Sequence, residues 1–431
     1  MELTIKNLAK VEDANIQLNG ITIVAGANNT GKSTLGKALW AIISAFSNLE
    51  RRIRAARERK YRELLEEFDS DVLDWDGSYD SDELSSGLVD GSVSVDSVRS
   101  ILVDECSNAK KQLDIVDKWV SKIEEVGRLR EDELKRQEVY NTFDRVFNSQ
   151  FDSFIRAETH PYIELNIEGK KMSVQLTEAL PVCCQETKLV HRAYYFDTAE
   201  TLGYLAREPR FWRKNVCRHL SVEGRLIQDI VRDFDRKRDA NVVDDLLDRK
   251  RFAKVEGLLK DLMGGSLEQV PGKGVMFLDK LFPDKPLRIA NLSQGIKSMA
   301  FLQAAFKNGT IQEGDVLILD EPEIHLHPNW QIDYAEFLVL LQKEFGLTLL
   351  VSSHSPDFVQ AVRLYAAKHG MKGRIDCYLS RVLENGAIRM GHVRDGDWDS
   401  IFESFGSSFD RLMALRQELR LDEEESCESD E

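Results

Sequence analysis

The stretch Gly26-Ala27-Asn28-Asn29-Thr30-Gly31-Lys32-Ser33 decides the fold of this chain, because it fits G-x-x-x-x-G-K-[ST] at every defined position. The apolar run 21–25 before it predicts a buried strand, and apolar residues at helical spacing over 35–46 predict a helix after it. A glycine-rich turn between a strand and a helix is typical of a phosphate-binding loop. We therefore expect an α/β fold of the P-loop NTPase class that binds a nucleoside triphosphate.

The residue types of this loop predict how the phosphates are held. Backbone N–H groups of the loop and of the helix N-terminus cradle the phosphates, because they point at the ligand with a partial positive charge. Lys32 is expected to reach the β- and γ-phosphates, and the Ser33 hydroxyl to ligate Mg²⁺. The predicted nucleotide-binding residues of the loop are Gly26, Asn28, Asn29, Thr30, Gly31, Lys32, Ser33 and Thr34.

A second apolar run, 316–319, is followed directly by Asp320 and Glu321. The run predicts a buried parallel strand, and ligands of open α/β sheets lie at the carboxyl ends of such strands. Adjacent side chains on a strand point to opposite sides, so the two carboxylates can have different roles. We expect Asp320 to hold Mg²⁺ and Glu321 to polarise the attacking water.

Two further segments complete a set. Asn291-Leu292-Ser293-Gln294-Gly295 opens a predicted helix, and the apolar run 349–351 leads to Ser352, Ser353 and His354. In this order the chain resembles the ABC-type ATPases, with a Walker A loop, an L-S-x-G signature, a Walker B strand with an adjacent Glu, and a switch His. The stretches 320–328 and 353–356 are similar to the prokaryotic ATPases of the overcoming-lysogenization-defect (OLD) and PtuA-like group, with RecF, SMC and double-strand-break-repair ATPases as distant relatives.

This resemblance implies a mechanism in which two ATPase heads face each other and enclose ATP, so the expected partner is a second copy in a homodimer or a larger homo-oligomer. Ser293 and the helix N-terminus after Gly295 then contact the γ-phosphate in trans, and His354 contacts it in cis. Gln185 is a candidate for the glutamine that senses the γ-phosphate in such heads. The implied cofactors are ATP and Mg²⁺, and the implied catalytic residues are Glu321, His354, Lys32 and Ser293.

The segment after the acidic pair departs from ABC transporters, in which a Ser-Ala-Leu-Asp stretch reports across the dimer. The aligned residues are 324–327, so a histidine replaces the aspartate. His325 and His327 form an H-x-H pair that is compatible with a metal site, but no other ligand is spaced to join them except Glu321 and Glu323, which have other expected roles. We expect interface and packing roles for both histidines.

Composition supports a protein of two lobes. The chain has 431 residues, of which 42% are hydrophobic, and this length exceeds that of one ordinary core. Its six cysteines show no C-x-x-C spacing, so we expect reduced thiols and a cytoplasmic location. No apolar run approaches the 18 residues of a membrane helix, and no membrane association is expected.

The pattern along the chain predicts an inserted helical segment in the ATPase head. We expect two helices, short and coiled-coil-like, around an acidic Ser/Gly-rich break at 68–97. Hairpins are expected at 3–18 and 162–176, and strands at 193–196, 375–382 and 387–393. The expected division is the Walker A part of the head at 1–46, the helical arm at 47–160, the remainder of the head with a helical lobe at 161–284, the signature, Walker B and switch His at 285–420, and an acidic disordered tail at 421–431.

Three functions compete at this point. The resemblance favours an antiphage-defence ATPase that controls a separate effector, a nuclease or a toxin. The alternative is a RecF- or SMC-like ATPase acting on DNA in repair or chromosome maintenance, and a transporter subunit is disfavoured by the long insertion between loop and signature. No built-in nuclease is expected, because Asp395-Gly396-Asp397 matches a Toprim D-x-D by spelling only.

Direct DNA binding stays open at this point. The net charge of −16 opposes general attraction to phosphate backbones. Basic clusters nevertheless occur at 51–62 and at 207–218, the second with Phe211 and Trp212 interleaved. A solvated helical face is the favoured interpretation of these clusters.

Overall fold

The computed structural model describes most of the chain: residues 1–71, 79–104, 109–156, 159–177, 182–185, 189, 192–197, 242–271, 273–307, 309–394, 398, 401 and 414–415. The chain divides into two compact units. The first, called the head below, comprises 1–44, 143–175 and 184–431, and the second, called the helical unit, comprises 45–142 and 176–183.

The elements are numbered here in chain order through the described residues. The strands are β1 (Glu2–Leu8), β2 (Val11–Gln17), β3 (Ile21–Ala25), β4 (Tyr162–Ile167), β5 (Lys170–Gln175), β6 (Val182–Gln185), β7 (Ala193–Asp197), β8 (Gly265–Val270), β9 (Gly274–Asp279), β10 (Val316–Asp320), β11 (Thr348–Ser353), β12 (Ile375–Val382) and β13 (Ile388–Val393). The helices are α1 (Lys32–Phe46), α2 (Leu49–Asp71), α3 (Ser81–Asp90), α4 (Val95–Asp104), α5 (Ala109–Arg128), α6 (Glu131–Phe147), α7 (Val242–Met263), α8 (Gln294–Lys307), α9 (Pro328–Phe345) and α10 (Pro356–Lys368).

A mixed sheet organises the head. Its described strands follow the order β6-β5-β4-β1-β2-β13-β12-β3-β11-β10-β7, in which β12, β3, β11, β10 and β7 run parallel to one another, whereas β12 is antiparallel to β13. Every residue of β3 and β10 is buried, as expected for parallel strands that are covered on both faces. The predicted hairpins form as β1–β2 and β4–β5, and the strands predicted at 193–196, 375–382 and 387–393 form as β7, β12 and β13.

The register of the parallel strands places their carboxyl ends at one edge. Ala25 of β3 lies beside Ser353 of β11, Ser352 lies beside Asp320 of β10, and Asp320 lies beside Asp197 of β7. The segments that follow these residues therefore start side by side. This is the α/β arrangement that the sequence predicts, and it brings the phosphate loop, the acidic pair and His354 to the same edge.

One hydrophobic core joins this sheet to the helices of the head. Side chains of α8, α9 and α10, including Phe301, Phe337 and Phe358, are fully or almost fully buried against apolar residues of β3, β10 and β11. Removing this much aromatic and aliphatic surface from water stabilises the head by about 25 cal/mol for each Å² of apolar surface that is buried. The core therefore holds the strand ends at fixed positions relative to α8 and α9.

The helical unit has a core of its own and differs from the predicted pair of helices. Tyr61, Leu65 and Phe68 of α2 are buried with Trp119 and Ile123 of α5. The α3 helix lies inside the segment predicted to be a break. The Asp80 carboxylate caps its N-terminus by accepting from the N–H groups of Asp82 and Glu83. The helices are therefore shorter than a continuous coiled coil, and α5 with 20 residues spans only about 30 Å.

Candidate functional site

The phosphate loop connects β3 to α1 and is held in shape by its own hydrogen bonds. The Thr30 hydroxyl donates to the Ala27 carbonyl at 2.8 Å, and the Ser380 hydroxyl of β12 donates to the Thr30 carbonyl. Gly31 has a φ of +76° and an added Cβ would lie 2.9 Å from Val11 Cγ2, so only glycine fits there. The loop is therefore a rigid turn that opens onto the N-terminus of α1.

Lys32 is almost completely buried beneath this loop. Its Nζ donates to the carbonyl oxygens of Gly26 at 2.9 Å and Ala27 at 2.8 Å, and lies 3.2 Å from Glu321 Oε1. A buried ammonium needs such partners because desolvation of an unpaired charge is costly. Lys32 thus links the phosphate loop to Glu321 of the acidic pair.

Asp320 is held from both sides at the end of β10. The Tyr195 hydroxyl donates to Asp320 Oδ2 at 2.6 Å, and the Ser352 hydroxyl donates to Asp320 Oδ1. Tyr195 lies level with Ile318 in the register, two residues before Asp320, so both side chains share a face of the sheet. Tyr195 escaped the sequence analysis because only the strand, and not the partner of its hydroxyl, can be seen in the pattern.

Glu321 has a strained backbone. Its φ is +49°, in the left-handed region that costs a non-glycine residue about 1–3 kcal/mol, and its N–H donates to the Ser352 carbonyl at 3.1 Å. This conformation turns the side chain to lie between Lys32 and His354, with Oε2 at 3.4 Å from His354 Nδ1. Strain of this kind is typical of functional sites, since surrounding contacts must maintain it.

His354 follows β11 and is fixed through Glu323, for which the sequence analysis named no specific role. Its backbone N–H donates to Glu323 Oε1 at 3.1 Å, and the Ser353 hydroxyl donates to the same oxygen at 2.6 Å. Glu323 has only 1% of its surface exposed, and burial raises the pKa of its carboxyl above the usual range. Its place in the stretch 320–328 was noted, but the pattern cannot show that it is buried against the strand end of β11.

Ser293 and Gly295 belong to the N-terminus of α8. The Ser293 hydroxyl accepts from the Ile296 N–H at 3.4 Å, and its carbonyl accepts from the Lys297 N–H. Gly295 is packed closely, because an added Cβ would lie 2.8 Å from the His325 carbonyl oxygen and 2.7 Å from Leu326 Cδ2. The signature therefore contacts the segment after Walker B within one chain.

A cavity of about 320 Å³ lies at this edge of the sheet, a size within the usual range for ligand sites. It brings together the phosphate loop and the acidic pair, whereas Ser293 and Gly295 are not among the described residues around it. Asp197, Ile324 and His325 were not predicted to line it; for Asp197 the available signal was its place directly after a predicted strand. The described lining residues are Asn28, Asn29, Ser33, Asp197, Asp320, Glu321, Ile324 and His325.

The residues present fit the magnesium ion that the phosphate loop implies. Ser33 and Asp320 line the same cavity and offer a hydroxyl and a carboxylate oxygen, which are the hard ligands that Mg²⁺ prefers. Mg²⁺ usually keeps several waters and takes only one or two ligands from the protein. The small number of protein ligands is therefore appropriate for this ion.

The two histidines after Walker B have separate surroundings. His327 Nδ1 accepts from the Asn329 N–H at 3.3 Å and caps α9, whereas His325, with a φ of +71°, lines the cavity. Within the described part of the chain, no group of three or more His, Cys, Asp and Glu side chains is placed to hold a metal ion. His327 is thus an exposed helix cap, and the interface and packing roles expected for the two histidines stay predictions.

One predicted residue is misplaced and others lie outside the described residues. Gln185 ends β6, which lies at the opposite edge of the sheet from β10, so its assignment as the γ-phosphate sensor is wrong. A strand hairpin and its distance from the site cannot be inferred from a lone glutamine. The basic cluster 207–218, the D-x-D at 395–397 and the tail 421–431 lie outside the described residues.

Comparison with known proteins agrees with this site. Residues 21–359 match the family described as "AAA domain, putative AbiEii toxin, Type IV TA system". The chain belongs to this AAA-domain family. The match begins at β3 and ends in α10, so it contains the phosphate loop, the signature, the acidic pair and His354.

A curated relative is similar to about half of the chain. Over 269 residues the chain is 26% identical to an OLD nuclease of Thermus scotoductus, an alignment that covers 50% of this chain and 49% of that protein. The chain thus spans about half the length of this relative. The predicted resemblance to OLD proteins is confirmed, and the chain is a P-loop ATPase of the ABC-type class related to them.

Two solved structures match the chain with TM-scores below 0.5. An SmcHead bound to the C-winged helix domain of ScpA is 11% identical with a TM-score of 0.42, covering 91% of this chain and 97% of its own. The recombination mediator protein RecF-ATPrS is 12% identical with a TM-score of 0.36, and covers 91% of this chain and 97% of its own. The assignment to the AAA-domain family rests on the sequence match.

Proposed function

We propose that the cavity binds ATP and hydrolyses it to ADP and phosphate. The observation that supports this proposal is the convergence of Lys32, Asp320, Glu321 and His354 from the carboxyl ends of three neighbouring parallel strands. A loop that presents N–H groups, a lysine and a carboxylate beside them are the parts that phosphoryl transfer to water requires. All four residues already lie at the same edge of the sheet.

The role of each residue follows from its surroundings. The loop and the N-terminus of α1 bind the phosphates, and Lys32 neutralises charge on the β- and γ-phosphates. Ser33 and Asp320 hold Mg²⁺, which when bound supplies charge neutralisation at the phosphate oxygens. Glu321 orients the attacking water and accepts a hydrogen bond from it, and His354 beside Glu321 contacts the γ-phosphate.

A second copy of the chain completes each site in this proposal. Ser293 is exposed at the N-terminus of α8, a position that carries partial positive charge, and lies outside the cavity of its own chain. Facing heads would bring this N-terminus to the γ-phosphate held by the partner. ATP then joins the two heads and hydrolysis separates them, so an isolated copy hydrolyses ATP slowly.

We further propose that the assembly regulates a separate effector, a nuclease or a toxin, in antiphage defence, in the cytoplasm of a prokaryotic cell. The support is the family description, which refers to an AbiEii toxin, and the similarity to an OLD nuclease. Both concern other proteins, and the OLD relative is about twice as long as the matched part. Nuclease activity of the purified chain therefore has to be measured, because it distinguishes an effector on this chain from one on a partner.

The RecF- or SMC-like alternative has less support in the helical unit. Several basic residues of the cluster 51–62 contact groups of the same unit: Arg52 pairs with Glu138 at 3.0 Å, and Arg57 donates to the Leu129 carbonyl. Arg62 also pairs with acids of α2 and α3. Cations with such partners offer less to DNA phosphates than a continuous unpaired stripe does.

None of the described helices is long and apolar enough to span a membrane.

The first test uses two substitutions with matched controls. Lys32→Ala is expected to abolish ATP binding, whereas Lys37→Ala, which removes the same charge from the same helix, leaves binding unchanged. Glu321→Gln is expected to bind ATP, lose turnover and accumulate a dimer by light scattering, whereas Glu384→Gln on an exposed loop behaves as wild type. Wild-type turnover in Glu321→Gln would refute its role as the base.

The second test identifies the effector. Glu321→Gln is recovered from its native host with ATP, with Lys32→Ala as the control, and bound protein and nucleic acid are analysed. An ATP-dependent nuclease or toxin partner would support the defence proposal. DNA alone, lost at raised salt, would favour the RecF- or SMC-like alternative, and nuclease activity of the purified chain would refute the separate effector.

A further inference from the structure

A third carboxylate, Glu323, lies behind the two that the proposed chemistry uses. Its exposed fraction is 1%, and its Oε1 accepts from the Ser353 hydroxyl at 2.6 Å and from the His354 N–H at 3.1 Å. Its Oε2 is buried and makes no hydrogen bond. A buried carboxyl with an unsatisfied oxygen destabilises the fold, so its presence calls for an explanation other than stability.

Glu323 belongs to a ring of polar contacts that joins the segment after Walker B to the segment after β11. Ser353 Oγ also accepts from the Ser355 N–H at 3.1 Å, and the Ser355 hydroxyl donates to Gln331 Oε1 at 2.8 Å. Gln331 Nε2 then donates to the Leu326 carbonyl at 3.2 Å, and the Leu326 N–H donates to the Glu323 carbonyl at 3.1 Å. The ring is therefore closed without the nucleotide-binding residues.

The ring has a consequence for His354. This residue lies just beyond the last residue of β11, and Glu323 accepts from its N–H. The imidazole of His354 has its Nδ1 at 3.4 Å from Glu321 Oε2 and 3.8 Å from Glu323 Oε1. Because its side chain is still 37% exposed, packing alone leaves the ring room to turn away from the site. An anchor on the backbone limits that freedom.

We propose that Glu323 is a positioning residue, which holds the Ser353–His354 segment so that the His354 ring faces Glu321 and the γ-phosphate. Glu323 does this as a hydrogen-bond acceptor and takes no proton from the attacking water. This role is additional to the four motifs and rests on the proposed ATP hydrolysis. A displacement of about 1 Å in such a group is enough to lower turnover about 100-fold.

The test compares two substitutions of similar volume. Glu323→Gln keeps an acceptor oxygen for both hydrogen bonds, and Glu323→Leu removes the acceptor and buries an apolar side chain. We expect Glu323→Leu to bind ATP within about twofold of wild type and to lower kcat by about 10- to 100-fold. Glu323→Gln is expected to retain kcat within about threefold.

A double-mutant cycle with His354→Ala separates positioning from general damage. If Glu323 acts through His354, Glu323→Leu has little further effect on kcat in the His354→Ala background. Independent losses that multiply would overturn the proposal, and so would wild-type kcat in Glu323→Leu. Denaturant unfolding of each variant shows whether a loss of kcat follows a loss of fold.

A measurement without turnover keeps the proposal testable if ATP hydrolysis itself fails. Diethyl pyrocarbonate modification of His354, read by mass spectrometry, is expected to be several times faster in Glu323→Leu than in wild type, and unchanged in Glu323→Gln. His392, which lies on β13, serves as the internal control. An unchanged rate in Glu323→Leu overturns the proposal, whereas wild-type protein that hydrolyses no ATP refutes only the proposed function.

Discussion

Replacing Gly295 by alanine tests whether the signature helix is held by the segment after Walker B. An added Cβ would lie 2.8 Å from the His325 carbonyl oxygen and 2.7 Å from Leu326 Cδ2. Both distances are below the approach that Cβ atoms tolerate, and the first involves backbone that cannot turn aside as a side chain can. Either α8 or the segment 324–327 has to move.

The magnitude follows from two opposing effects. Alanine in place of glycine in a helix stabilises it by at most about 1 kcal/mol, and by less in the first turn, where Gly295 lies. Forcing a methyl group into a closely packed contact costs about 1–3 kcal/mol. We therefore expect Gly295→Ala to lower the free energy of unfolding by about 1–2 kcal/mol.

Gly257→Ala is the matched control, because Gly257 lies inside α7 and an added Cβ meets no atom within 4 Å. Its substitution should raise the free energy of unfolding by about 0.5–1 kcal/mol. Denaturant unfolding of the two variants should thus differ by about 1.5–3 kcal/mol. Equal shifts, or a stabilised Gly295→Ala, would show that the contact of the signature with 324–327 is not as close as described.

Three further predictions concern the site and the helical unit. Tyr195→Phe removes the hydroxyl that donates to Asp320, and it should raise the Mg²⁺ concentration for half-maximal ATP binding several-fold. The control Tyr194→Phe loses only a hydrogen bond to the Thr310 carbonyl and should not raise that concentration; equal effects would contradict the prediction. Burial raises the pKa of Glu323, so its contribution to stability is fully present below about pH 4.3 and is lost as pH rises through the raised pKa. The free energy of unfolding of Glu323→Gln relative to wild type should therefore increase with pH in denaturant unfolding, and a constant difference would count against this. Asp80→Ala should lower the free energy of unfolding by about 0.5–2 kcal/mol in denaturant unfolding followed by circular dichroism, and an unchanged value would contradict the capping role.

The sequence was sufficient for the fold because three of the four motifs adjoin the carboxyl end of a buried strand, whereas the signature opens a helix. A short apolar run such as 316–319 or 349–351 is typical of a covered strand, and parallel strands place the residues that follow them at a common edge. The proximity of Lys32, Glu321 and His354 could therefore be expected before any coordinates were known. Their distances depend on the positive φ of Glu321, which no pattern of hydrophobicity encodes.

Tyr195, Asp197 and Glu323 were missed for a common physical reason. Each acts through a contact with a residue more than 25 positions away in the chain, and such contacts are set by strand order and burial. The order that places β7 beside β10 cannot be deduced from spacing, because over 100 residues separate the two strands. The same limitation led to the wrong assignment of Gln185.

In the helical unit the composition favoured the wrong structure. Asp, Ser and Gly dominate the segment around α3, and these residues are typical of loops. Here they act as helix ends, since Asp80 caps the N-terminus and Gly91, with a φ of +80°, ends the helix in the left-handed conformation. Asp and Gly thus indicate a short helix here only when Asp80 and Gly91 are considered together, as the two ends of one segment.

The segment 321–327 carries two duties that conflict with mobility. Through Glu323 it holds the backbone of His354, and through the His325 carbonyl it lies against Gly295 with no room for a methyl group. The strained φ of Glu321 adds a cost that only these contacts can offset. This segment therefore connects the backbone of His354 to the signature helix of the same chain through close-packed contacts. Under the proposed mechanism, it lies between the residue that contacts the phosphate and the surface that the same copy presents to its partner.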